Sequence, residues 1–242
     1  MNSSVRSLLL TVLVLAATAT CARLGFWQLA RMRYKHAIHA AQRALLARPP
    51  LELSQGLPGA MPEAGSRVRV RGAWDPSALV LLSGRTHLGA AGVSLVCAAR
   101  LASGERVLVE RGWIAAEDSR TAHPELVADS LADVTGVVQP LAHSPHPIPW
   151  AELTSQRAGT RLWSARVLEA DSAAARFGGT LAPWMVRALP VGTPRDGAPI
   201  PEDVVVPDES MHLSYAIQWF SFAAIISVGS LALALRKRPT RG

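Results

Sequence analysis

The chain has 242 residues, 49% of them hydrophobic and only 18% charged, which excludes an ordinary soluble globule and favours a membrane protein. Its formal net charge of +7 sits at the ends: residues 49–212 hold 14 Arg, no Lys and all 18 acidic residues, so the middle is net −4, while the termini hold the other 11 basic residues and no acid. That distribution argues against a nucleic-acid partner and for two termini held against an anionic lipid bilayer.

The first apolar run is uncharged over residues 7–22, about 24 Å of helix and short for a span. If Arg23 snorkels to the headgroups, the run continues through Leu24, Gly25 and Phe26 to Trp27. We expect an N-terminal transmembrane helix over 1–27. A cleaved signal peptide is the competing reading, with Arg6 before the apolar stretch and Ala17-Thr18-Ala19 as the cleavage site. Residues 28–48 are Ala-rich and poor in β-branched side chains up to Pro49-Pro50, which predicts a juxtamembrane extension of the same helix.

Residues 49–211 are expected to form one β-rich domain. After a Pro/Gly-rich linker over 51–65, residues 67–72 (RVRVRG) alternate strictly, with Val68 and Val70 on one face and three Arg on the other. Further strand-like runs follow at 79–82, 92–101, 106–114, 133–141, 161–165 and 184–189. Ser103-Gly104 between two of these runs marks a hairpin, and residues 166–177 carry the only helical pattern in this region. The expected fold is a membrane protein of α+β class, with two terminal transmembrane helices flanking an antiparallel β-rich extracytoplasmic domain, a small barrel being one way to close it.

Residues 213–235 run 23 positions without a charge and predict the second transmembrane helix, taken as 212–235. Tyr215 and Trp219 lie near its start, where amphipathic rings favour the interface, and Arg236, Lys237, Arg238 and Arg241 lie in the basic tail over 236–242. The tail marks the cytoplasmic side and puts both termini in the cytoplasm. The cations after the first span point the other way; we give precedence to the second span and read the first set as a functional or lipid-contacting feature. The apolar run starts too early for a mitochondrial transit peptide, so a bacterial plasma membrane with a periplasmic central domain is the expected location.

For chemistry, the chain shows no Gly-rich phosphate loop, no nucleophile elbow, no Cys-x-x-Cys and no His-Glu-x-x-His, so catalysis is not expected. His143 and His146 share a Pro-rich loop whose rings need not converge, and His36 and His39 lie among cations that disfavour a metal ion. The only cysteines, Cys21 and Cys97, are far apart in sequence, which argues against a Cu(I) chaperone.

Three segments carry a family likeness: residues 24–35 (LGFWQLARMRYK), residues 109–114 (VERGWI) and residues 212–220 (HLSYAIQWF). In content, order and placement they resemble the Surfeit locus family of cytochrome c oxidase assembly proteins. Two departures stand out, Ser210-Met211 where the family usually has two asparagines, and Glu110 where an Asn is common; Ser210 can still cap the helix and Met211 cannot. The resemblance implies an assembly factor, not an enzyme, that transiently carries haem a or helps insert it into the oxidase's catalytic subunit, with haem a synthase as a second candidate partner. It also implies a site: His212 as the metal ligand, Tyr215, Trp219 and Trp27 as flat walls, and Gln28, Arg31 and Lys35 as a polar and cationic stripe for the propionates. The alternative is a structural scaffold for an oxidase intermediate that touches no cofactor.

Overall fold

A computed structural model of the protein describes residues 3–120, 122, 131–146, 148–192, 198–204 and 210–236. The chain divides into two compact units, Met1–Gln42 with Val206–Gly242, and Arg43–Val205.

The first unit is built on α1 (Ser3–Ala47) and α3 (Ser210–Arg236), both long and apolar enough to cross a membrane. α1 passes its expected juxtamembrane stretch without a break and stops before Pro49-Pro50, where the missing N–H and ring clash end helices. Hydroxyls within the apolar runs are satisfied by their own helix: Thr11 donates to the Ser7 carbonyl, Thr20 to Ala16 and Ser227 to Ala223. On α3 the less exposed positions are His212, Ala216, Trp219, Phe220, Ala223, Ile226 and Ser230, spaced by threes and fours as on one face of a packed helix. Most large apolar side chains of both helices remain exposed, as lipid-facing side chains would be. Residues 237–242 of the basic tail, with Lys237, Arg238 and Arg241, and the acidic residues Asp208 and Glu209 before α3 lie outside the described residues.

The second unit holds β1 (Leu51–Leu53), β2 (Arg67–His87), β3 (Ala90–Arg100), β4 (Arg106–Ala115), β5 (Leu131–Pro140), β6 (Ala151–Leu153), β7 (Arg161–Ala165), α2 (Ala170–Phe177) and β8 (Leu181–Ala188). They form an eight-stranded sheet in the order β3-β4-β8-β5-β2-β7-β6, with β1 on β2 and a further β2–β3 pairing. The expectation of an antiparallel sheet is corrected: β1–β2, β2–β7 and β4–β8 are parallel, so the sheet is mixed. Parallel neighbours need long crossovers. Between β4 and β8 the chain supplies β5 to β7 and α2, and between β1 and β2 the intervening 54–66 stretch.

Two runs expected as separate strands are one, because β2 continues for 21 residues and changes partner along its length. Its first part pairs with β5 and its second with β3 and β7. Pro76 is tolerated because it falls in a register irregularity between Asp75 and Leu79, where no ladder bond is required of it. Two of the three arginines of RVRVRG are committed to ion pairs: Arg69 forks onto Asp133 at 2.8 and 2.9 Å, and Arg71 reaches Asp133 and Glu52. The bond from Arg69 holds the Asp133 carboxyl below its ordinary pKa.

The sheet's two faces bury different apolar sets. One carries Val68, Val70, Val107, Val109, Trp184 and Val186, and the other Val80, Leu82, Val96, Leu108 and Trp163. α2 covers the latter through Ala173 and Phe177, whose ring lies 6.4 Å from that of Trp163. α2 is shorter than the 166–177 expected, beginning after the β-like Glu169.

Candidate functional site

Residues that carry the family likeness in the two terminal segments come together on the helix pair. His212 Nδ1 lies 3.0 Å from Gln28 Oε1. An amide oxygen only accepts, so this contact makes Nδ1 the donor and leaves Nε2, on the other side of the ring, outside the bond. Gln28 therefore stands to His212 as outer partners stand to metal-binding histidines, fixing tautomer and ring orientation.

Close approach at this level has a specific cause. A Cβ on Gly25 would lie 2.7 Å from the Phe220 ring, and Phe26 meets that ring edge to face at 5.1 Å. Ala216, one turn before Phe220, is 1% exposed. Lower on the pair, Thr18 and Ser227 hydroxyls meet at 3.3 Å. Small residues that let helices touch, with hydroxyls paired across them, are the devices that hold apolar helices together. We expect Gly25→Leu to separate the helices: in a Cys21→Ala background, a Thr18→Cys/Ser227→Cys pair should crosslink readily, and adding Gly25→Leu should reduce the crosslinked fraction several-fold. Undiminished crosslinking would refute the contact.

The remaining expected site residues are placed unevenly. Trp219 is half-buried on the α3 face that carries His212, and its ring packs edge to face on Phe222 at 5.9 Å. Lys35 is half-buried on α1. Tyr215 and Trp27 are exposed, at 49% and 57%, so neither forms a wall enclosed between the helices. Arg31 is exposed too, its guanidinium 5.7 Å from the Tyr34 ring. The unit thus presents an oriented imidazole, with a half-buried indole two turns along the same face of α3 and Tyr215, Trp27 and Arg31 exposed. Gly25, Phe26, Ala216 and Phe220 were not among the expected site residues; the Gly25 position and the three-and-four spacing on α3 are the signals that point to them. Ser210 opens α3, but its side chain as a cap lies outside what is described.

The third segment of the likeness serves a different purpose in the second unit. Arg111 is an extra residue in β4, the β3–β4 register shifting between Leu95 and Val96, and its guanidinium stacks on Trp74 at 4.7 Å. Gly112 has φ +134°, and a Cβ there would lie 2.3 Å from the Ile200 carbonyl. The glycine lets the 198–204 segment lie against β4, where Trp113 and Ile200 exchange backbone hydrogen bonds of 2.8 Å. Trp113 packs beside His87, ring centroids 5.3 Å apart.

Among the described residues no three His, Cys, Asp or Glu side chains gather as a metal cluster. Cys97 is buried in β3, Cys21 is half-buried on α1, and no disulfide joins them. Pro147, in the Pro-rich loop that holds His143 and His146, lies outside the described residues.

Comparison with known proteins adds two findings. The sequence model of the SURF1 family matches residues 15–224. A SURF1-like protein of Monosiga brevicollis is 26% identical over 215 residues, covering 84% of this chain and 78% of that protein.

Proposed function

Because the chain belongs to the SURF1 family, a family of cytochrome oxidase assembly factors, we propose that it binds haem a on the α1–α3 pair and helps deliver it to the oxidase's catalytic subunit. The observation that carries this reading is the hydrogen bond between His212 Nδ1 and Gln28 Oε1, which occupies Nδ1 and leaves Nε2 as the ring nitrogen for a ligand bond. Haem iron takes an axial imidazole, and such histidines are tuned by what bonds the second nitrogen. His212 is therefore the residue that would hold the iron.

In this reading His212 would hold the iron and Gln28 would orient it, with Trp219 two turns along the same face of α3, while Arg31 and Lys35 lie one and two turns from Gln28 as cations for the propionates. Tyr215 and Trp27, being exposed, serve at the membrane interface instead of as enclosing walls. The helix pair spans a bacterial plasma membrane with the sheet domain in the periplasm. No bond is made or broken by the protein, consistent with a family of assembly factors.

The test is the visible spectrum and metal content of the full chain purified in detergent from cells that make haem a. We expect a haem spectrum in the wild type, its loss in His212→Ala, and a shifted or weakened Soret band in Gln28→Leu, where ring orientation is lost but the ligand stays. A colourless wild type from haem a-replete cells overturns the carrier reading in favour of a scaffold. Stoichiometric copper would overturn it in favour of metal delivery.

A further inference from the structure

We propose that the second unit carries a separate binding site for a phosphoryl-bearing anion, in the cleft where the bulge of β2, the loop after β4 and the end of β7 meet. The cleft is a pocket of about 450 Å³ whose walls include Arg85, Arg120, Arg166, Ser83, Ser119 and Asp118. That volume lies among those of pockets that hold small organic ligands, roughly 300–1,000 Å³.

The arginines are what distinguish it. Elsewhere in this unit guanidinium groups are committed: Arg69 and Arg71 to Asp133, Arg100 and Arg106 to Asp75, Arg187 to Glu202, Arg111 to the Trp74 ring, and Arg161 and Arg176 to rings and carbonyls. Arg67 bonds the Leu46 carbonyl. Among the described residues of 49–204, only the guanidiniums of Arg85, Arg120, Arg157 and Arg166 have no such partner, and three of these four line the one pocket. They come from three separate elements of a region whose net charge is −4, so bulk basicity does not explain the gathering.

The backbone is arranged to bring them there. The β2–β3 register slips between Leu82 and Arg85, inserting one residue. Without the slip, strand alternation would put Arg85 on the face opposite Leu82; with it, Arg85 shares that face. Ser83 Oγ donates to the Ala165 carbonyl at 3.2 Å, tying the bulge to the residue before Arg166. Gly84 N–H donates to the Ser119 carbonyl at 3.1 Å, tying it to the residue before Arg120. Ser119 itself holds φ +53°, an uncommon conformation for a residue other than glycine.

Charge and acceptor number select the ligand class. Three Arg and one Asp give the walls a net +2, which matches a phosphate monoester at about −1.5 to −2. A carboxylate offers two oxygens, whereas a terminal phosphoryl group offers three to guanidiniums arriving from three elements. The phosphoryl group could belong to a free organic phosphate or to a lipid headgroup, and the experiment separates these.

Full-length protein in neutral detergent is titrated calorimetrically, at fixed ionic strength, with inorganic phosphate, glycerol phosphate and short-chain phosphatidic acid. We expect saturable binding, weakened about tenfold in Arg120→Gln and in Arg166→Gln, less in Arg166→Lys, and unchanged in Arg157→Gln. Binding of the soluble phosphates assigns a free ligand; binding of phosphatidic acid alone assigns a headgroup; both keep the site. Absence of saturable binding to all three, or an equal loss in Arg157→Gln, overturns it. The exposed Gln variants should keep the wild-type melting midpoint in phosphate-free buffer, and Arg85→Gln repeats the test should one of them fail to do so.

Discussion

Asp75→Ala is expected to lower the stability of the protein by about 3–5 kcal/mol, the cost of breaking a buried charge pair and leaving the largely buried Arg106 without its counter-charge. Asp75 is 4% exposed, and its carboxylate accepts from Ser77 Oγ at 2.6 Å and Ser77 N–H at 3.1 Å while facing Arg100 at 3.1 Å and Arg106 at 3.2 Å. Arg106 also donates to the Phe177 and Gly178 carbonyls, so one carboxylate ties β2, the end of β3, the start of β4 and the end of α2. Removing it breaks that connection and strands a guanidinium that is only 20% exposed. Tryptophan fluorescence during thermal unfolding of the full chain in detergent reads the effect; a loss under about 1 kcal/mol would contradict it.

The same residue sets an acid limb. Burial pushes the Asp75 carboxyl up, but the Ser77 and Arg100 hydrogen bonds and the Arg106 charge outweigh it and hold the pKa below its ordinary value. Its stabilising contribution is therefore complete above the unfolded value, about 3.9, and is lost as pH falls through the lower folded value. Wild-type stability should decline on acidification across that window, and Asp75→Asn, with no carboxyl to titrate there, should decline less steeply.

Gly112→Val is expected to detach the 198–204 segment from β4. The added Cβ would lie 2.3 Å from the Ile200 carbonyl, and φ +134° is left to glycine. Backbone strain of about 1–3 kcal/mol adds to the loss of two Trp113–Ile200 hydrogen bonds at about 0.5–1.5 kcal/mol each. Hydrogen exchange should show the Trp113 and Ile200 amides losing protection while β2 amides paired with β5 keep theirs. Equal protection in the variant would show that the segment does not depend on the glycine. The Arg-Gly-Trp run is thus explained by close backbone approach, with no ligand required.

Local patterns in the sequence were informative where burial is local. Val68 and Val70 alternate with arginines and are buried as that alternation requires, and the uncharged runs at both ends are helices. Three-residue strands such as β1 and β6 escaped notice because they carry too few residues to show a period. Of the residues chosen for the site, His212 and Gln28 meet across 184 positions of sequence, while Tyr215 and Trp27 are exposed. Helical spacing places His212, Tyr215 and Trp219 near one another but does not fix which side of α3 faces α1; Ala216, Phe220 and Gly25 decide that by where they allow contact.

The amino-acid sequence by itself determined the two apolar end helices, most strand segments and the family, because hydrophobic period and motif identity are written in neighbouring residues. Only the tertiary structure decided that the sheet is mixed, that Gly112 seats a distant segment, and that Arg85, Arg120 and Arg166 share one cleft. Strand partner, direction and bulge position are set by pairings between residues far apart in the chain, and an apolar pattern of period two is satisfied equally well by a parallel or an antiparallel neighbour.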